Sequence, residues 1–179
     1  CGTCNACIAT RLPVARFQPD RSQRRILRRN ADLVMTVAPA RRSAERFALY
    51  TRYLGARHPD SPMVDPTHQE FEQFLIGDWS PTHFFEWRLR GQLVAVAVTD
   101  VTANALSAVY TFFDPAFEAR SLGTQAVLGQ IDWARATARP HLYLGFWLKG
   151  HPKMDYKRRF RPLERLWNGH WIAFDEDEA

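Results

Sequence analysis

The stretch Thr82–Phe113, THFFEWRLRGQLVAVAVTDVTANALSAVYTFF, decides the fold. Three runs within it, His83–Arg90, Leu93–Thr99 and Leu106–Phe113, are rich in β-branched and aromatic residues with period two, the pattern of strands. They are separated by Gly91-Gln92 and by Asp100–Ala105, both of hairpin length, which predicts an antiparallel meander. Asp114-Pro115 ends the third strand. Beyond it the apolar period becomes 3.6, with Val127, Ile131 and Ala134 in register for a helix from about Ser121 to Ala136. Pro140 stops that helix, and Leu142–Trp147 reads as a further strand. The order β-β-β-α-β with a helix crossing back predicts an α/β (α+β) architecture, a mixed sheet with flanking helices.

Upstream, the period is helical where it is visible. Ser22 is the expected cap of a helix whose Arg24, Arg25, Arg28 and Arg29 form one basic stripe. A second helix is predicted over Ser43–Leu54, with Phe47, Tyr50 and Leu54 on one face, and a third over Gln69–Ile76. Residues 55–69 read as a loop, and residues 1–20, with Gly2, Asn5, Pro13 and Pro19, as an irregular knuckle. Two regions are expected: a basic, cysteine-containing part over 1–60 and a second region over 61–179.

Composition removes several classes. The chain has 179 residues, 46% of them hydrophobic, enough for a real core and too many for a disordered chain. The longest apolar runs, Leu93–Val98 and Leu142–Leu148, fall far short of the ~18 residues a membrane helix needs. No basic-plus-apolar leader precedes them, so a cytoplasmic protein with no membrane partner is expected. The chain opens on Cys1 without a Met and reads as trimmed at its start.

The net charge of +5 is unevenly spread. Residues 1–60 hold 12 Arg against 4 acids, net +8, and residues 149–165 hold 7 basic residues against 2 acids, net +5. Between them lies a segment of net −4, and the chain ends on an acidic tail of net −4. Arginine outnumbers lysine 21 to 3, and its planar fork suits phosphate or carboxylate, so a polyanionic partner is expected.

Three motifs carry candidate chemistry. Cys1, Cys4 and Cys7 form C-x-x-C-x-x-C, a spacing able to converge on a zinc ion or an iron–sulfur cluster, although a fourth ligand is missing. Arg120-Ser121-Leu122-Gly123-Thr124 opens a helix, where amides and a glycine allow close approach of a phosphate. Lys149–Arg165, KGHPKMDYKRRFRPLER, interleaves Lys153, Lys157, Arg159 and Arg161 with Tyr156 and Phe160, which suits stacking of bases and pairing of phosphates at a single-stranded nucleic-acid end.

Taken together, ALSAVYTFFDP at 105–115, SLGTQAVLGQIDWA at 121–134, LYLGFW at 142–147 and KMDYKRRFRPLE at 153–164 resemble the aminoacyl-tRNA-protein transferases of the N-degron pathway. Within that family they are most similar to the aspartate/glutamate leucyltransferases, relatives of the eukaryotic arginyltransferases. The cysteine motif followed by PVARFQPDRSQRR resembles the same family's N-terminal region. The resemblance implies an acetyltransferase-like (GNAT-type) catalytic part joined to a small cysteine-bearing N-terminal part. It implies transfer of an amino acid, leucine before arginine, from charged tRNA to the N-terminal amine of proteins beginning with Asp or Glu, marking them for degradation. No cofactor is required for that chemistry, and no DNA partner is implied. Two departures stand out: the family's upstream segment, with a further cysteine, is not in this sequence, and His151 stands where many members carry Cys before the Lys-Met pair.

An aminoacyl-tRNA is an activated ester, and an α-amine of pKa about 7.7–8.0 is partly neutral at pH 7. The site therefore has to position the amine, accept its proton and stabilise an oxyanion. The candidates are Ser107 and Tyr110 on the third strand, Asp114 at its end, and Lys153, Tyr156 and Lys157 after the last. Arg24, Arg25, Arg28 and Arg29 are the candidates for the tRNA backbone, with Arg120, Ser121, Gly123, Arg159 and Arg161 for phosphate or acceptor carboxylate. A coenzyme A-dependent acetyltransferase and a non-enzymatic RNA-binding module are the competing readings.

Overall fold

The structure, a computed structural model, describes residues 6–77 and 80–174. Among these, eight strands form one sheet: β1 (Ile8–Pro13), β2 (Leu33–Pro39), β3 (Thr82–Leu89), β4 (Gln92–Val101), β5 (Ala105–Phe113), β6 (His141–Trp147), β7 (Glu164–Trp167) and β8 (His170–Ala173). Their spatial order is β2-β3-β4-β5-β6-β1-β7-β8. The helices are α1 (Arg21–Arg29), α2 (Ala44–Arg57), α3 (His68–Leu75) and α4 (Leu122–Ala136). The expected meander is present as β3-β4-β5, with Arg90 (φ 49°) and Gly91 (φ 88°) supplying the left-handed pair that a tight hairpin turn requires. α4 then carries the chain back so that β6 lies parallel to β5, as a crossover must.

β4 is buried from Leu93 to Asp100 because helices cover both faces of the sheet. Leu93, Val96 and Val98 pack with Leu49, Leu54, Phe71 and Leu75 of α2 and α3. Ala95 and Ala97 pack on the other face with Ala126, Val127 and Ile131 of α4. α4 sits close to the sheet because residue 129 has no side chain: a Cβ there would lie 2.6 Å from Trp87 Cζ2 and 3.1 Å from Met35 Sδ.

Several local readings change. Residues 8–13, expected to be irregular, form β1, which pairs with β6 over six positions and with β7 through Thr10 and Arg11. The short run IATRLP carries little strand signal of its own; the unpaired edge of β6 recruits it. β2 was not expected and pairs over its whole length with His83–Leu89 of β3. The cap of α1 is Asp20 rather than Ser22: its Oδ1 accepts from Gln23 N at 2.8 Å while Gln23 Oε1 accepts from Asp20 N at 2.9 Å. α3 begins inside the expected loop, with a second capping box between Thr67 and Glu70. A 3-10 turn over Pro115–Arg120 precedes α4, and Ser121 sits left-handed at φ 54° without a side-chain cap bond. β1 and β2, both from the first sixty residues, are strands of the same sheet as the later ones.

Candidate active site

The sheet opens into a fork. β5 and β6 pair only at Ala105–His141, Leu106–Leu142 and Ser107–Tyr143. Past that point β5 stays with β4 and β6 stays with β1, so Ser107 marks the apex. Each edge of the fork carries an exposed apolar side chain, Val109 at 44% and Phe146 at 57% exposure. A bulge shapes the β5 edge: Val98 faces Tyr110 but Thr99 faces Ala108, leaving Val109 extra. Leu106 therefore joins the α4 core, whereas Tyr110 and Phe112 turn to the α2/α3 face.

On that face the sequence brings several phenols together. Tyr53 of α2 meets Tyr110 edge-on at 6.2 Å and Phe113 at 5.1 Å. The Tyr156 phenol, on the 3-10 turn Asp155–Arg159, interacts electrostatically with Tyr53. Burial pushes Tyr53, Tyr110 and, although the residue is 43% exposed, Tyr156 above the usual phenol range, with an offset at Tyr53 from the charge of Arg57 and then its hydrogen bond. All three are thus held as neutral O–H donors, the form suited to an incipient oxyanion.

Lys157 approaches the other edge. It is buried, and its Nζ donates to the Phe146 carbonyl of β6. Burial lowers its pKa from the ordinary lysine value. Gly145 next to that carbonyl adopts φ +74°, and a Cβ there would come 3.7 Å from the ammonium.

Asp114 is engaged through both oxygens: Oδ1 accepts from Ala116 N at 3.0 Å, capping the following 3-10 turn, and Oδ2 accepts from Arg52 at 3.1 Å. Lys153 lies near His58, the residue that ends α2. Burial first, then the cations of Lys153 and Arg57, lower the His58 pKa below the usual imidazole value, so it is neutral at pH 7. Its ring meets Tyr53 edge-on at 5.9 Å. Tyr53, His58, Arg52 and Arg57 were not among the expected site residues. The signal is present in α2 as Tyr50, Tyr53 and Arg57 at i, i+3 and i+7, beside its apolar stripe.

The start of α4 differs from expectation in one respect. Arg120 is bound to Asp32 by two hydrogen bonds of 2.7 and 3.0 Å, and it donates a third to the Arg29 carbonyl. It ties α4 to the turn after α1 and has a carboxylate partner already. Gly123 is not demanded by packing, since a Cβ would meet only Phe113 at 3.6 Å.

The two basic tracts, distant in sequence, adjoin in space. Gln23 of α1 is buried and donates to the Arg159 carbonyl at 2.9 Å. Arg24, Arg25, Arg28 and Arg29 are exposed on α1 beside it; Arg24 reaches the Pro19 carbonyl and Arg29 the Ala119 carbonyl. A cavity of about 340 Å³ lies in the seam, bordered by Asp20, Gln23, Arg158, Arg159 and Arg161.

Of the cysteine motif, Cys1 and Cys4 lie outside the described residues. Cys7 is exposed and unbonded to another cysteine. Among the described residues no group of three or more His, Cys, Asp or Glu is placed to hold a metal ion. Among the described residues no helix is long and apolar enough to cross a membrane.

Comparison with known proteins follows the same lines. A family model described as "Arginine-tRNA-protein transferase, C terminus" matches residues 45–167. An aspartate/glutamate leucyltransferase from Stenotrophomonas maltophilia is 57% identical over 183 residues, covering 99% of this chain and 73% of that protein. One from Xylella fastidiosa is 54% identical over 181 residues, covering 97% and 71%. In fold, the chain is similar to L-PGS from Bacillus licheniformis, with TM-score 0.59 at 13% identity over 79% of this chain and 45% of that one. It is similar also to FemX, with TM-score 0.57 at 11% identity over 82% and 54%. The family that the motifs of residues 105–164 resemble is thus the family that matches, and the chain belongs to the arginine-tRNA-protein transferases, among the aspartate/glutamate leucyltransferases.

Proposed function

We infer that this chain moves leucine from leucyl-tRNA to the N-terminal amine of proteins that begin with Asp or Glu, and so marks them for degradation in the cytoplasm. The observation that carries this reading is the fork between β5 and β6, with phenols at one edge and a buried ammonium at the other. In an acetyltransferase-like fold of this kind, the acyl ester lies in the fork with its carbonyl near Tyr110.

The neutral α-amine of the acceptor attacks the ester carbonyl carbon. A C–N bond forms, and the carbonyl oxygen gains the negative charge that the Tyr110 and Tyr156 hydroxyls receive as hydrogen-bond donors. His58, held neutral, takes the proton that the amine loses. Collapse breaks the C–O ester bond, and the tRNA 3′ oxygen leaves with a proton returned to it. Lys157 and Lys153 supply positive charge for the tRNA terminus or the acceptor's side-chain carboxylate. Ser107 lines the apex, and Asp114 fixes Arg52 and the turn before α4.

The α1 arginines with Arg159 and Arg161 form the surface for tRNA phosphates, and the amides at Ser121–Gly123 serve the terminal phosphate. On this reading residues 1–60 are mainly the tRNA-facing part and 61–179 the main catalytic region, to which α2 and the residue after it add Tyr53 and His58. The test is transfer of labelled leucine to an Asp-starting peptide by wild type and by Tyr110→Phe and His58→Gln. Loss of about 10²–10³ in rate at either position supports the roles, and wild-type rates in both remove them.

A further inference from the structure

A second cavity, of about 470 Å³, lies on the α2/α3 face of the fork and is not used by the chemistry above. It is bordered by Tyr50, Pro62, Met63, Pro66, Glu70 and Phe74 among others. Two of these are apolar side chains left open to solvent, Met63 at 36% and Phe74 at 47% exposure. The cavity adjoins the fork directly, because Phe74 meets Tyr110 edge-on at 5.2 Å and Tyr50 meets it at 6.3 Å. It is within the size range of small-ligand pockets.

We propose that this cavity receives the leucyl side chain of the donor and sets its selection over arginine. The inference rests on the leucyl-transfer reading and adds the residues that choose the donor. An ester carbonyl beside Tyr110 has its side chain within reach of Phe74 and Tyr50, and the lining offers methylene, thioether and ring surface to a branched aliphatic group. A guanidinium needs a carboxylate at the far end of its site. Among the described lining residues the one carboxylate is Glu70, and its Oε2 already accepts from Thr67 N at 2.7 Å and Thr67 Oγ1 at 2.8 Å. An arginyl group finds there only the solvent-exposed Glu70, one oxygen of which serves the α3 capping box, and the neutral amide of Gln73, so it has no buried carboxylate to pair with, whereas leucyl buries apolar surface with no charge to desolvate.

The test uses Met63, whose exposure makes a change there compatible with folding. Wild type, Met63→Glu and Met63→Leu are offered leucyl-tRNA or arginyl-tRNA at saturating Asp-starting peptide, with folding checked by circular dichroism. Met63→Glu is expected to lower kcat/KM for leucyl-tRNA about 10–200-fold and to raise arginyl relative to leucyl transfer. Met63→Leu, which keeps an apolar side chain in the lining, is expected to keep leucyl preferred over arginyl. Unchanged leucyl-to-arginyl preference in folded Met63→Glu overturns the assignment. In a second series with the peptide varied at saturating leucyl-tRNA, a rise confined to the KM of the acceptor peptide also overturns it, placing the acceptor there instead. A wild-type chain that never uses leucyl-tRNA refutes the leucyl-transfer reading itself, a result visible before any variant is compared.

Discussion

Replacing Lys157 with Met separates a catalytic ammonium from a structural one. Lys157 is 8% exposed and its Nζ is bonded to the Phe146 carbonyl. Losing a hydrogen bond from a charged donor costs about 1.5–3 kcal/mol. Removing a buried charge relieves a desolvation penalty of several kcal/mol, and Met keeps most of the apolar stem. The two effects leave Lys157→Met within about 2 kcal/mol of wild type, on the more stable side. Transfer, by contrast, should fall about 10²–10³-fold if the ammonium stabilises developing or fixed negative charge in the fork. There is a pH signature as well. Burial lowers the folded-state pKa of Lys157, so between that value and the unfolded value near 10.4 the unfolded chain holds more protons. Wild-type stability therefore gains a rising component with pH in that window, and Lys157→Met lacks it. The assays are urea denaturation across pH 7–11 and leucyl transfer at pH 7.5. A variant that loses more than about 3 kcal/mol while transferring normally would refute the reasoning, because the ammonium would then be holding the fold rather than serving the reaction.

Four further outcomes follow from the same geometry. Gly129→Ala drives a methyl to 2.6 Å from the buried Trp87 ring; overpacking of about 1–3 kcal/mol exceeds the helix gain of about 1 kcal/mol, and thermal melting should show a lower Tm. Below pH 6.5 transfer should decline as His58 takes up a proton, with the midpoint under the ordinary imidazole value, and His58→Gln should flatten that acid limb in a pH–rate profile. The depressed value also means the unfolded chain protonates first as pH falls, so His58 lowers stability on the acid side. Arg25→Ala with Arg28→Ala should reduce the slope of log binding against log salt for tRNA, measured by filter binding, by about 0.7–0.9 for each phosphate that is no longer neutralised. Glu86→Ala strands the partly buried Arg46, bonded to it at 2.5 Å, and should cost about 3–5 kcal/mol in denaturant unfolding.

The parts legible in the sequence are those whose signal is local. The runs from His83 to Phe113 alternate cleanly, and Val127, Ile131 and Ala134 face one core, so the meander and α4 stand where periodicity places them. β1 was not legible because Ile8–Pro13 is a strand only through its pairing with β6 and β7. The β7–β8 hairpin has a local signal too, although no strand was expected there: Asn168 (φ 48°) and Gly169 (φ 79°) are the Asn-Gly pair of a tight hairpin turn. At the site, Tyr110 and Lys157 could be picked by residue type beside family motifs. His58 could not, and Tyr53 only as part of the α2 stripe, because α2 meets β5 only after the bulge at Val109 turns Tyr110 toward it. Arg120 shows the opposite case, a residue well placed by motif whose charge is taken by Asp32, 88 positions away in sequence.

The central claim is tested most directly by one transfer assay. The purified chain is given tRNA charged with labelled leucine and three peptides that differ only in an N-terminal Asp, Glu or Ala. Label should appear on the α-amine of the Asp and Glu peptides, and the Ala peptide should stay at background. Labelling of Ala as readily as Asp, or of none of the three while the tRNA is bound, would contradict it.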